Sequence, residues 1–157
     1  MTISELCTAF ADALQTWAND YGGKAIIGQG PAHVVELLAA KPGAPLVAVL
    51  FDGDTPVEVD ESGLVRRRIK VVLSFPKTLK RRAGDALAGD GGGEPSQFDL
   101  VEESREVVRQ LDLDTEAGER RGSWRGTAVY QVADMLFDAW EHTFEVVCTV
   151  PVAAPVS

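Results

Sequence analysis

The carboxylates between residues 52 and 61 are the first group in this sequence that could do chemistry. Residues 52–54 read Asp-Gly-Asp, and further carboxylates follow at Glu58, Asp60 and Glu61. Such oxygens suit a divalent cation, but an EF-hand loop starting at Asp52 needs Glu at its twelfth position, where Gly63 stands. The pattern therefore favours a hairpin turn at 52–54 over a metal loop.

Histidine and cysteine could supply a base and a nucleophile. The two histidines are His33 and His142, and His142 with Cys148 is the best pair. Six residues along a predicted strand separate their side chains by about 20 Å, so we reject this pair. Cys7 and Cys148 lie in apolar segments, where cysteine acts as a small hydrophobic residue. Neither a disulfide nor a zinc site is expected.

Composition and glycine spacing narrow the function classes. The glycines at 28–30 and 91–93 match neither a Walker loop nor a dinucleotide fingerprint, so no cofactor is predicted. The net charge of -9 argues against non-specific DNA binding. No apolar run approaches the roughly 20 residues of a membrane span. Residues 1–5 show no basic stretch before a long apolar run, so we expect no signal peptide and folding in a cytoplasm.

Two basic clusters are the main candidates for a binding surface. They comprise Arg66, Arg68 and Lys70 on a predicted strand, and Lys77, Lys80, Arg81 and Arg82 in the segment after it. Three interpretations are open: a solvated surface, contact with acidic surfaces of neighbouring subunits, and contact with nucleic acid.

Hydrophobic periodicity predicts the elements that position these residues. The predicted helices cover 2–19, with a Thr2/Glu5 capping box, 31–40 and 98–111. The predicted strands cover 25–27, 46–51, 64–75 and 143–150, while 127–137 fits strand and helix equally. Residues 112–123 are polar and loop-like, 76–97 is a glycine-rich mobile loop, and 151–157 is a frayed tail. Together they predict one α+β domain over 1–157, with an antiparallel sheet packed against two main amphipathic helices.

The order of these elements resembles the tail terminator (tail completion) proteins of long-tailed bacteriophages. The resemblance is based on the N-terminal amphipathic helix, the Pro-Leu-Val-Ala-Val-Leu strand at 45–50 and the long strand 66–75. The long loop, the helix at 98–111 and a final strand within 140–150 complete it. The resemblance covers nearly the whole chain except 112–137.

In that family a helix pair packs against an antiparallel sheet, and subunits form a hexameric ring that caps the tail tube. The resemblance implies a structural virion protein without enzymatic activity, assembled in the host cytoplasm and located at the head–tail interface. Its partners would be further copies of itself, the tail tube protein and the head–tail connector protein. DNA would pass through the lumen without specific binding, and the two basic clusters would contact neighbouring subunits.

Two alternatives remain beside this expectation. A head-completion or adaptor protein shares much of the same pattern of elements. A small cytoplasmic metal-dependent enzyme would instead use the carboxylates between Asp52 and Glu61.

Overall fold

The computed structural model describes residues 1–28, 44–57, 63–76, 87–89, 95–130 and 137–150. Its long elements are, in chain order, α1 (Ile3–Asn19), β1 (Lys24–Ile27), β2 (Leu46–Pro56), β3 (Leu64–Pro76), α2 (Gln97–Gln110), β4 (Ser123–Val129) and β5 (Phe137–Thr149). This is the predicted α+β architecture, with two amphipathic helices and one five-stranded sheet. Neither of these helices has the length and apolar character needed to cross a membrane.

Helix α1 begins and ends at the signals that the sequence carries. The Thr2 hydroxyl accepts a hydrogen bond from the Glu5 N–H at 3.1 Å, which confirms the predicted N-cap. The chain leaves the helix at Gly22, whose φ of +67° is a conformation that glycine adopts without strain. One side of α1 is buried, at Leu6, Cys7, Phe10, Ala11, Leu14, Trp17 and Ala18.

The sheet has the strand order β1-β2-β3-β5-β4. Only β1 and β2 pair in parallel, and the other three pairs are antiparallel, so the predicted antiparallel sheet is present with one parallel edge pair. Strands β3 and β5 lie at its centre with an unbroken register from Leu64↔Thr149 to Pro76↔Phe137. Two 13-residue strands therefore form the rigid middle of the molecule.

The two faces of the sheet differ sharply. On the helix face, which both helices cover, lie Val65, Arg67, Ile69, Val71, Leu73 and Phe75 of β3, as predicted. On the far face lie Arg66, Arg68, Lys70, Val72 and Ser74. The core is built on the helix face, where the rings of Phe10 and Phe144 meet edge to face with centroids 5.9 Å apart.

Several predicted boundaries are wrong. No turn occurs at 52–54, because β2 continues to Pro56 through a bulge between Phe51 and Asp54, with Gly53 at a φ of +111°. The predicted loop at 112–123 is confirmed up to residue 122, and β4 begins at Ser123; Leu113 and Thr115 within the loop are buried. Strand β5 begins at Phe137 rather than at 143.

Other predictions are confirmed, or concern residues that the structure does not describe. The ambiguous segment 127–137 is strand at its start, as part of β4. Helix α2 lies within one residue of the predicted 98–111. The predicted helix at 31–40, most of the loop at 76–97 and the tail at 151–157 lie outside the described residues.

Candidate functional site: the charged strip on the far face

Strand β3 brings three of the predicted interface residues onto one surface. Arg66, Arg68 and Lys70 alternate along the strand, so their side chains share the far face. Arg66 and Arg68 are exposed and Lys70 is half-buried. Further along the same face, Val72 and Ser74 are fully buried, so the exposed part of this face lies around Arg66 and Arg68.

Carboxylates from the neighbouring strands lie among these cations. Glu145 on β5 is the register partner of Arg68, and its carboxylate accepts hydrogen bonds from Arg68 Nη2 at 3.2 Å and Arg125 Nε at 3.1 Å. Lys70 Nζ lies 3.1 Å from the carboxylate of Glu141. These side chains form what we call the charged strip: Arg66, Arg68, Lys70, Asp52, Arg125, Glu141 and Glu145.

The pKa of Glu145 is lowered below its ordinary value by these contacts. Partial burial on the sheet acts in the opposite direction and raises the pKa, but the hydrogen bond from Arg68 and the charge of Arg125 together outweigh it. Glu145 is therefore a fixed anion between two cations, and the strip is held in one arrangement by pairs that cross four strands.

Arg66 differs from its neighbours on the strip. Its cross-strand partners are Thr55 and Val147, and it forms no ion pair within the described part of the chain. It is exposed, so its guanidinium keeps five donors available for a carboxylate of another molecule. The remaining predicted interface residues, Lys77, Lys80, Arg81 and Arg82, lie outside the described residues.

The carboxylates at 52–54 do not converge on one point. Asp52 lies 3.8 Å from Lys70 on the far face, whereas Asp54 pairs with Arg67 on the helix face at 2.7 Å. Because the two carboxylates occupy opposite faces of the sheet, they cannot hold the same cation. Glu58, Asp60 and Glu61 lie outside the described residues, and the described ones contain no group of three or more ligands placed to hold a metal.

Arg67 is a buried cation beside both cysteines. Only 5% of the residue is exposed, and its Nε has no hydrogen-bond partner in the part of the chain that the structure describes, although a terminal nitrogen bonds Asp54. Cys7 and Cys148 are free and buried nearby. Burial raises the pKa of both thiols, and the charge of Arg67 offsets this only in part. Both sulfurs therefore behave as the apolar core residues that the sequence predicts.

His142 occupies a second buried polar cluster, on the helix face. The Ser104 hydroxyl of α2 donates to the Val101 carbonyl at 2.9 Å, so the proton that joins Ser104 to His142 Nε2 at 3.0 Å belongs to the imidazole. His142 Nδ1 then accepts from the Thr127 hydroxyl of β4 at 2.6 Å. Trp124 Nε1 in turn donates to that hydroxyl at 3.1 Å.

This cluster is a structural crosslink rather than a nucleophile–base pair. Ser104 and His142 are both fully buried, and the serine proton is directed at a backbone carbonyl. Desolvation lowers the pKa of His142 to about 4, so the imidazole stays neutral near pH 7. His142 bonds residues of α2 and β4, and the rejected pairing with Cys148 does not form.

The sequence contained one signal for this cluster. Ser104 lies among Leu100, Val101 and Val108 on the apolar side of α2, where a hydroxyl needs a partner. Its partner could not be identified, because His142 and Ser104 are 38 residues apart and meet only through packing of α2 on β5. The partners of the basic cluster, above all Glu145 and Arg125, were missed for the same reason.

A small cleft opens between the start of α1, the end of β1 and the middle of β2. It has a volume of 510 Å³, and Ile3, Cys7, Ile27 and Phe51 are among its lining residues. None of the lining side chains is charged, so the cleft could receive an apolar group but provides no counter-charge for an ionic ligand.

No protein-family model matches this chain, and no curated protein matches it either.

Proposed function

We propose that this chain is a structural assembly protein of the tail-terminator kind, whose subunits form a ring at the end of a tube and bind the next component there. Two structural observations support the proposal. The fold is the α+β arrangement expected from the resemblance, and the charged strip offers a rigid, exposed surface of both signs.

The single observation that carries the proposal is the unequal pairing within the charged strip. Arg68, Lys70 and Arg125 each have a carboxylate within the chain, whereas Arg66 at the end of the row has none among the described residues. A strip that ends in an unpaired guanidinium can extend its alternating charges across a subunit boundary. The net charge of -9 means that a second copy supplies many carboxylates.

Arg66 contributes specificity more than bulk affinity. An exposed ion pair is worth about 0–1 kcal/mol, but a like charge at the same position costs several kcal/mol. Charge reversal is therefore more informative than truncation. It also leaves the fold intact, because Arg66 forms no ion pair that the mutation would break within the described residues.

The test compares Arg66→Glu with Arg120→Glu. Arg120 is also exposed, at 69% of its side chain, and the mutation changes the net charge equally but outside the strip. We expect Arg66→Glu to weaken ring assembly at least about tenfold, a loss of 1.4 kcal/mol. Arg120→Glu should assemble like the wild type. Native mass spectrometry and negative-stain electron microscopy, in the presence of the candidate tube protein, report the rings.

Two results would contradict the proposal. If the wild type forms no closed ring at any concentration or with any tube protein, the assembly function is wrong. If rings form and Arg66→Glu does not affect them, the ring contact lies elsewhere on the molecule.

A head-completion or adaptor role is the second candidate, and the same surface would serve it. The two roles differ in the partner: a terminator binds the tube end, whereas a head-completion protein binds the connector without the tube. Pull-down with each purified component separates them.

A further inference from the structure

The two edge strands of the sheet, β1 and β4, differ in whether a side chain bonds their outward backbone groups within the described residues. At the β1 edge, the Lys24 N–H donates to the carbonyl of Pro45, just before β2, and the Gly28 N–H donates to Val49 of β2. The Ala25 N–H between them therefore points outwards. The side chain of Gln15 on α1 accepts that outward N–H at 2.8 Å. Helix α1 thereby blocks one of the positions that an added strand would need.

Within the described residues, the β4 edge has no such cap. The Tyr130 N–H donates to the Ala139 carbonyl of β5, so by alternation the N–H and C=O groups of Thr127 and Val129 face away from β5. No side chain of the described residues bonds these outward groups. Every residue of β4 is exposed except the half-buried Gly126. This edge is a seven-residue template for another strand.

We propose that two copies of this chain pair through their β4 strands, antiparallel about a two-fold axis at Thr127, so that their sheets become one. Because of the bulge between Trp124 and Gly126, Arg125 and Gly126 together occupy one strand position. Thr127 is therefore the central position, with two strand positions on each side of it. Trp124 and Val129 lie at the two ends on the helix face. Arg125 with Gly126 lies on one side of Thr127 and Ala128 on the other, both on the far face.

Apolar side chains match in this arrangement. It places Trp124 opposite Val129 of the other copy, and these side chains are 38% and 62% exposed. Phe98, which is 44% exposed, packs edge to face on Trp140, the register partner of Val129, with centroids 5.7 Å apart. Strand addition therefore removes from water a row of large side chains that this chain alone leaves exposed.

Charges match as well. Arg125 comes to lie opposite Ala128 of the other copy, and the neighbour of Ala128 on β5 is Glu141. Two strand spacings, about 10 Å between Cα atoms, separate Arg125 from that glutamate, and the small alanine leaves room for the arginine to reach across it. Within each copy Arg125 bonds Glu145 and Lys70 pairs with Glu141, so the new contact adds to these pairs rather than replacing them. The two-fold axis makes this contact twice. The pairing is thus favourable locally although each copy carries a net charge of -9.

This contact is separate from the proposed ring. A two-fold contact joins a patch to itself, whereas a closed ring of more than two subunits uses two different patches. The β4 pairing does not use Arg66, but Arg125 and Glu141 belong to the charged strip. Val129 and the outward amides of β4 lie outside the strip, so they test the pairing separately from the ring. The pairing predicts a dimer of the free protein, and because one edge strand buries less than a standard interface, we expect a dissociation constant of about 10–100 µM.

The first experiment measures mass by sedimentation velocity as a function of concentration. We expect a monomer–dimer equilibrium for the wild type and a monomer for Val129→Lys, which puts two charges at the new strand pair. Val129→Pro, which removes an outward N–H, should also be monomeric. Ile27→Lys is the matched control, since it changes an exposed residue of the capped edge, and it should dimerise like the wild type.

A charge swap tests the pairing register. Arg125→Glu should weaken the dimer about tenfold or more, because the new carboxylate faces Glu141 of the other copy. The double variant Arg125→Glu/Glu141→Lys should recover most of that loss. A dimer unaffected by Arg125→Glu would overturn the register.

Hydrogen exchange of the wild type by NMR needs no variant and remains informative if a substitution unfolds the chain. The amides of Thr127 and Val129 should exchange more slowly at high concentration than at low concentration. The inward amide of Ala128 should not change. A wild type that stays monomeric at millimolar concentration, or a dimer in which these two amides gain no protection, would overturn the proposal. Ring assembly by Val129→Lys, scored by electron microscopy, shows separately whether the proposed function holds.

Discussion

Arg67 and Arg68 are neighbours in sequence but belong to different parts of the molecule. Arg67 points to the helix face, is 5% exposed, and bonds Asp54 while one nitrogen lacks a partner. Arg68 points to the far face, where half of its side chain is exposed and its guanidinium bonds Glu145. The pleat of β3 alone separates them. The same residue type is therefore a constraint on the core at one position and a surface contact at the next.

The difference extends to the two faces as a whole. On the helix face, burial fixes His142 and Ser104 to their partners, in the chain of hydrogen bonds that starts at Trp124 and Thr127. On the charged strip, the pairs are partly solvated, and the exposed Arg66 has no ion pair among the described residues, so the strip can add contacts to another molecule. Stability should depend on the first face and assembly on the second, and four measurements can break or sharpen this contrast.

The largest effect is expected for Phe144→Ala. Phe144 is fully buried against Phe10, so the truncation should lower the free energy of unfolding by about 3–5 kcal/mol. Its neighbour Glu145 provides the matched control on the other face, where Glu145→Ala should cost about 1 kcal/mol or less. Urea unfolding followed by circular dichroism measures both. Equal losses for the two variants would erase the contrast between the faces.

The next largest effect is a pH dependence carried by His142. Its pKa is about 4 in the folded chain and 6.5 for the ordinary group, so the unfolded chain binds the proton first as the pH falls. The contribution of neutral His142 to the free energy of unfolding is complete above pH 6.5, declines as the pH falls towards 4 and is lost below pH 4. The 2.5-unit difference corresponds to about 3 kcal/mol.

His142→Gln isolates this contribution, because glutamine can donate and accept like the neutral imidazole but does not titrate. Stability measured against pH for both proteins should give curves whose difference changes between pH 6.5 and 4. Parallel curves over that range would mean that His142 is solvated rather than buried.

Breaking the Arg67 pair should have an intermediate effect. Asp54→Ala leaves a buried guanidinium without its counter-charge, and we expect a loss of about 2 kcal/mol, since Asp54 itself is partly exposed. Arg67→Met in the same background should restore stability, because an apolar side chain of similar length needs no partner. Thermal melts of the single and double variants test this, and a double variant no more stable than Asp54→Ala would contradict it.

The smallest effect is expected for Arg68→Ala. An exposed pair such as Arg68 with Glu145 contributes about 0.2–1 kcal/mol, and Glu145 keeps Arg125. The loss should also shrink as salt rises, because ions screen the pair. Urea unfolding at low and high salt measures it. A loss above that of Asp54→Ala would mean that the strip is structural rather than available for contacts.

Much of the fold could be predicted because its signals are local. The capping hydroxyl of Thr2, the apolar spacing of α1 and α2, and the period-two alternation of β3 each act within a few residues. The prediction of a turn at 52–54 is wrong because the sequence Asp-Gly-Asp is also suited to a bulge. The pairing of Asp54 with Arg67 across the strands favours the continuation of β2. A turn rule that considers only neighbouring residues cannot include this cross-strand partner.

The sequence by itself determined the fold class, the helix face of β3 and the grouping of Arg66, Arg68 and Lys70 on one surface. These follow from periodicity, which each strand carries alone. Tertiary contacts were needed to show which carboxylates join that surface, that Val72 and Ser74 are buried and that His142 is enclosed between α2 and β4. The same holds for β4, an edge strand without a cap among the described residues. The physical reason is that strand order and register place residues far apart in sequence side by side, and the contacts that select them form only when the sheet assembles.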